Sequence, residues 1–140
     1  MSLWADMLGG EVRFVETAQG RVRVVTLGNG PDLVLLHGRG GHLETFARNI
    51  APLSQSYRVI ALDLAGHGLS APIDPPYTID RLAEHTYAAF AALRLSRPHI
   101  VGQSLGAWVA AHLALEDSRT CERLVLIEPA GLMAGEERLA

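Results

Sequence analysis

Gly102-Gln103-Ser104-Leu105-Gly106 sets a serine between glycines two positions before and two positions after it. A serine hydroxyl becomes a useful nucleophile when a sharp turn holds it clear of its surroundings. Backbone N–H groups and a helix N-terminus can then take up the negative charge that develops as it attacks a carbonyl carbon. The flanking glycines suit such a turn, because its crowded backbone leaves no room for neighbouring side chains. Two glycines around a serine also arise by chance in a chain with 14 glycines, so the pentapeptide counts only in context. Pro98-His99-Ile100-Val101 before it reads as a short buried strand, and Ala107-Trp108-Val109-Ala110-Ala111 after it as an apolar helix. Strand, turn and helix in that order would expose Ser104 at the carboxyl edge of a sheet, with the Leu105 N–H beside it.

Other polar residues close apolar runs. Leu33-Val34-Leu35-Leu36 ends at His37, Arg58-Val59-Ile60-Ala61-Leu62 at Asp63, and Leu124-Val125-Leu126-Ile127 at Glu128. Ligands of open parallel sheets sit beyond the carboxyl ends of the strands, where these residues would join Ser104. The loop His37-Gly38-Arg39-Gly40-Gly41 could cradle a phosphate, but it lacks the Gly-Lys-Ser/Thr ending of a P-loop and does not match G-x-G-x-x-G. The alternative favoured here is that Arg39 or Gly40 turns a backbone N–H toward Ser104 and completes an oxyanion hole with Leu105.

The elements that must position these residues follow from hydrophobic period. Residues 11–16 alternate apolar with charged and residues 21–27 nearly do so, with Gln19-Gly20 between them, which predicts an antiparallel hairpin with one wet face. The runs 33–36, 59–62 (after Arg58), 100–101 and 124–127 are apolar on consecutive residues, as strands covered on both faces require. Helical spacing predicts helices over 43–53, 79–93 with Thr78 as its cap, and 105–115. Strands alternating with helices give the fold class: α/β, a doubly wound and mostly parallel sheet with an N-terminal antiparallel hairpin.

At 140 residues the chain is read as a single domain or part of one. Its 49% hydrophobic and 19% charged residues suit a soluble globular protein, and its net charge of −3 gives no basic footprint for nucleic acid. No run approaches the roughly 18 apolar residues of a membrane span. The first ten residues include Asp6 and no basic segment, unlike a secretory signal, so no membrane partner and a cytoplasmic location are expected. Cys121 has no second cysteine to pair with and reads as a buried or half-buried thiol.

Taken together, the His37-Gly38 loop, Asp63-Leu64-Ala65-Gly66-His67-Gly68-Leu69-Ser70, the Ser104 pentapeptide and Leu126-Ile127-Glu128-Pro129-Ala130-Gly131 resemble, in order and spacing, the N-terminal half of an α/β-hydrolase-fold enzyme. Gly40-Gly41-His42 and Ala47-Arg48-Asn49-Ile50 look most like the meta-cleavage-product hydrolases, which split a carbon–carbon bond in 2-hydroxy-6-oxo-dienoates, and like related carboxylesterases. Gln103 and Ala107 depart from the Asn and Gly that many of those hydrolases carry.

The resemblance implies a serine hydrolase acting on an ester or a vinylogous diketone through an acyl-enzyme on Ser104, with no cofactor and no metal. His37, Gly38, Thr45 and Gln103 would line the substrate pocket, Thr45 standing where several relatives place a substrate-binding Asn. Some relatives carry the triad acid at the end of the strand that precedes Glu128, which makes Glu128 a candidate acid, although such a residue more often lines the pocket or caps a turn. Residues 1–140 would form one truncated domain, with 131–140 beginning the cap and the last strands missing.

In the family the histidine follows the last strand. Here His112 falls inside a helix, His37 and His67 are read as structural, and His42, His85 and His99 as solvated or locally paired. The chain alone should therefore be inactive. A non-catalytic receptor and an inactive truncated product are the alternatives, and self-association through the unpaired edge of 124–127 is expected.

Overall fold

The computed structural model describes residues 9–132. Strands β1 (Glu11–Thr17) and β2 (Gly20–Leu27) form the antiparallel hairpin, with Glu11 opposite Thr26 and Thr17 opposite Gly20. They are followed by β3 (Asp32–Leu36), a 3-10 turn (Leu43–Phe46), α1 (Ala47–Leu53), β4 (Arg58–Leu62), α2 (Ile79–Ala92), β5 (His99–Gln103), α3 (Leu105–Glu116), a 3-10 turn (Ser118–Thr120) and β6 (Leu124–Ile127). The sheet runs β1-β2-β4-β3-β5-β6, and β4, β3, β5 and β6 are mutually parallel. The hairpin joins through an antiparallel pairing of β2 with β4.

The period of two along a strand sorts the core into two layers. Leu33, Leu35, Val59 and Ala61 pack with Leu43, Phe46 and Ile50 on one face. Val34, Leu36, Ile60 and Leu62 pack on the other with Leu82, Phe90, Val109 and Leu113 from α2 and α3. Each fully buried aliphatic side chain contributes roughly 1.5–3 kcal/mol, so the central strands are held from both sides. The expected helix over 43–53 forms as a 3-10 turn leading into α1, and Thr78 caps α2 by accepting from the Arg81 N–H at 3.4 Å.

One expectation needs correction. The wet face of the hairpin fails at Arg23, which is 4% exposed within β2, because it has acidic partners inside the molecule. The consecutive apolar residues of β6 do not mean cover on both faces in these residues: as expected for an unpaired edge, Val125, Leu126 and Ile127 are 50%, 39% and 42% exposed, and among the described residues no strand pairs with the outer edge of β6. The expected start of the cap over 131–140 lies, from residue 133 onward, outside the described residues.

Candidate active site

Ser104 links β5 directly to α3, with φ 52° and ψ −111°. Non-glycine residues rarely adopt a positive φ, and such strained positions persist only where the surroundings enforce them. Both neighbouring glycines are needed for contact rather than for their own dihedrals. A Cβ on Gly102 would strike the Gly106 carbonyl and the Ala107 backbone, and a Cβ on Gly106 would strike the carbonyls of Leu36 and His37. The turn is therefore wedged against the end of β3. The Ser104 N–H donates to the Ile127 carbonyl at 2.9 Å, and the Ser104 carbonyl accepts from Trp108 and Ala130, each at 3.1 Å. Ser104 occupies the N-cap position of α3 with its side chain making no cap bond, so the hydroxyl is left free at the positive end of a twelve-residue helix.

The loop after β3 comes to this turn through Gly38. A Cβ there would lie 3.1 Å from the Ser104 Cβ and 2.5 Å from the Gln103 Oε1, so Gly38, Gln103 and Ser104 form one surface. Gly40 has φ 71°, and it and Arg39 form the exposed apex of the loop. The Gly41 N–H closes the loop onto the Gly38 carbonyl at 3.0 Å, and the Thr45 Oγ1 lies 3.1 Å from where a Gly41 Cβ would be. Leu105 begins α3 immediately after the serine.

His37 does not line the open side as expected. Its ring is wholly buried, and Nε2 accepts from the Leu64 N–H at 3.0 Å. That assigns the ring proton to Nδ1, which donates to the Gly38 carbonyl at 2.7 Å. With its lone pair committed, the ring cannot take a proton from Ser104. Burial pushes its pKa down, and the Gly38 carbonyl only partly offsets this. His37 instead ties the Gly38 loop to the turn after β4.

Asp63 is the other anchor. Its buried carboxylate accepts from Leu43 N at 2.7 Å, Leu69 N at 2.8 Å, Arg23 Nε at 2.7 Å and Arg23 Nη2 at 3.2 Å. Ser70 Oγ donates to the Asp63 carbonyl and accepts from the Arg23 N–H. A Cβ on Gly68 would enter the Asp63 carboxylate, so the glycines of this turn serve close packing around an acid. Arg23 completes the arrangement by also gripping Glu44. Burial is the largest influence on the Arg23 charge and opposes it, but the bonds to Asp63 and Glu44 outweigh it and hold the guanidinium above its ordinary range. Sequence reasoning missed Arg23; the available signal was a charged residue among Val22, Val24 and Val25 in a strand with acids to pair.

Glu128 follows β6 in an exposed, left-handed conformation with φ 44°. The pairing of Gln103 with Ile127 sets it one strand over from Ser104 at the same level of the sheet. His67 lies against His37, with ring centroids 5.2 Å apart, and the other histidines are engaged elsewhere. His42 bonds Glu44 at 2.6 Å, His67 Nδ1 faces the Ala65 carbonyl at 2.9 Å, and His112 pairs with Asp80 at 3.2 Å between α2 and α3. His85 was expected to be solvated or paired, but it is buried on α2 with neither ring nitrogen hydrogen-bonded, and burial lowers its pKa. Among the described residues no histidine nitrogen is bonded to Ser104. A groove of about 490 Å³ between α2 and α3, with Asp80, Tyr87 and His112 in its wall, contains none of the residues of the nucleophile turn.

Residues 31–138 match the family model described as alpha/beta hydrolase fold. The chain is 35% identical over 120 residues to a dihydrolipoyllysine-residue acetyltransferase component of an acetoin cleaving system from Cupriavidus necator, covering 85% of this chain and 32% of that protein. It is 34% identical over 125 residues to a 2-hydroxy-6-oxo-6-(2'-aminophenyl)hexa-2,4-dienoic acid hydrolase from Metapseudomonas resinovorans, covering 86% of this chain and 43% of that protein. The crystal structure of a bacterial membrane phospholipase A superposes with a TM-score of 0.88 at 30% identity, covering 94% of this chain and 43% of that one. Esterases are also among the matches. The chain thus spans less than half the length of these relatives. No helix among the described residues is long and apolar enough to cross a membrane. With the family's strand order of motifs, its sheet and its serine turn in place, the chain belongs to the alpha/beta hydrolase fold family.

Proposed function

We propose that the chain carries the nucleophile half of a serine hydrolase, in which Ser104 attacks the carbonyl of a small-molecule ester or vinylogous diketone. The carrying observation is the positive-φ serine at the start of α3 with Gly38 of the glycine loop packed against it. The Ser104 Oγ bonds to the carbonyl carbon as its proton passes to a base supplied outside the described residues, the carbonyl oxygen takes up the charge, and the Leu105 N–H together with that of Arg39 or Gly40 stabilises it. The bond to the leaving group breaks as the acyl-enzyme forms, the leaving alkoxide or enolate takes up the proton from that base, and water then cleaves the acyl-enzyme to release the acid. Relatives of both kinds support the choice of substrate class. Thr45, Gln103 and Gly38 line the approach, and Glu128 is positioned to orient a histidine supplied outside the described residues. No nucleic acid enters this reading, and β6 offers an edge for self-association.

That no described histidine is hydrogen-bonded to Ser104 favours one rival, a hydrolase-like receptor that binds without turnover. Steady-state assays with 4-nitrophenyl butyrate and a 2-hydroxy-6-oxo-dienoate separate the two. The base-free chain should turn over neither substrate but should accumulate a slow acyl adduct visible by intact mass and lost in Ser104→Ala. Saturable binding of substrate with no adduct at any time would favour the receptor. Robust hydrolysis that depends on Ser104 would place a base within this chain, with His67 the first candidate.

A further inference from the structure

Arg23 grips two loops with one rigid group. Its Nε and Nη2 reach both Asp63 oxygens, while Nη1 and Nη2 reach the Glu44 Oε1 at 3.0 Å and Oε2 at 2.8 Å. A planar guanidinium can make two such forked contacts at once, and a lysine cannot. Asp63 also holds the Leu43 N–H. Leu43 and Glu44 are the first two residues of the 3-10 turn that receives the Gly38–Gly41 loop. At its other end that loop is tied by the His37 ring to Leu64. Between the two anchors Arg39 and Gly40 make no hydrogen bond among the described residues, so the direction of their N–H groups depends on how the loop ends are held.

Burying a cation with two carboxylates is a poor route to stability, since well-packed apolar side chains in the same space are often as stable or more so. A geometric role accounts better for it. We propose that Arg23 is a positioning residue for the oxyanion loop: through Asp63 and Glu44 it sets the Arg39 and Gly40 amides relative to Ser104 and Leu105. This rests on the reading of Ser104 given above, because a loop amide displaced by about 1 Å loses much of its value to a developing oxyanion.

Hydrogen exchange read by mass spectrometry tests the inference without relying on turnover. In Arg23→Lys and in Glu44→Ala, the hydrogen-bonded amides 41–43 should exchange about tenfold faster while peptides from β3 and β4 stay within about twofold of wild type. Glu44→Gln, which keeps an acceptor for Arg23, should restore loop protection to within about threefold. Glu44→Ala leaves the Arg23–Asp63 pair intact and keeps the test readable where Arg23→Lys does not fold. Loop exchange that is unchanged in Glu44→Ala, or that rises only in proportion to the core, would overturn the proposal. Absence of any adduct on wild-type Ser104 would instead count against the serine-hydrolase reading and leave the exchange result standing.

Discussion

The Ser104 N–H donates to the Ile127 carbonyl at 2.9 Å, which fastens the nucleophile turn to the end of the neighbouring strand. Ala130 returns the contact by donating to the Ser104 carbonyl, and a Cβ on Gly131 would meet the Trp108 ring. The segment after β6 is therefore folded back onto the first turn of α3. A left-handed serine is costly to hold, and these bonds are part of what holds it.

Gly106 is where this wedge is tightest. In Gly106→Ala the new methyl would run into the carbonyls of Leu36 and His37, both belonging to backbone that cannot swing aside. Overpacking of this kind costs about 1–3 kcal/mol or more. The midpoint of urea unfolding should drop accordingly, and a wild-type midpoint in Gly106→Ala would show that the turn is looser than described.

Acid should weaken the fold through two histidines. His37 and His85 both have folded pKa values pushed below 6.5 by burial, so the native state refuses protons that the unfolded chain accepts. Their stabilising contribution is fully present above about pH 6.5 and is lost as pH falls below it, at up to about 1.4 kcal/mol per pH unit for each group. Thermal melts between pH 7.5 and 5 should show this fall, with a shallower slope in His85→Leu. An identical slope in that variant would contradict the assignment for His85.

The exposed face and free edge of β6 should drive association. Val125, half exposed and flanked by Leu124 and Leu126, presents apolar surface beside unpaired backbone groups. Size-exclusion chromatography with light scattering should report oligomers for the chain and a shift toward monomer in Val125→Lys, since an edge lysine resists strand pairing. A wild-type chain that is monomeric at high concentration would remove the edge from the account.

Much of this architecture could be read from period alone. The strands over 33–36 and 59–62 carried consecutive apolar residues because both faces are covered, and the Ser104 turn was legible because its glycines are demanded by backbone collisions. Arg23 escaped because alternation assumes that a charged residue in a hairpin faces water, and its acidic partners at 44 and 63 are distant in sequence. His85 escaped for a related reason: a buried imidazole without a partner leaves no mark on helical spacing. The exposure of β6 was legible too, because a run of four apolar residues with no strand after it in the sequence must leave an edge and part of a face uncovered.

The central claim is that Ser104 is a nucleophile held beside an oxyanion hole. It is tested most directly by treating the chain with an alkyl fluorophosphonate and mapping the adduct by peptide mass spectrometry. When a triad member is missing, the oxyanion hole and binding alone still supply about 10³–10⁴-fold over water, so Ser104, beside that hole, should be modified well ahead of the exposed Ser96 and Ser118. Ser104→Ala should abolish that adduct. Modification spread evenly over exposed hydroxyls, or unchanged in Ser104→Ala, would contradict the account.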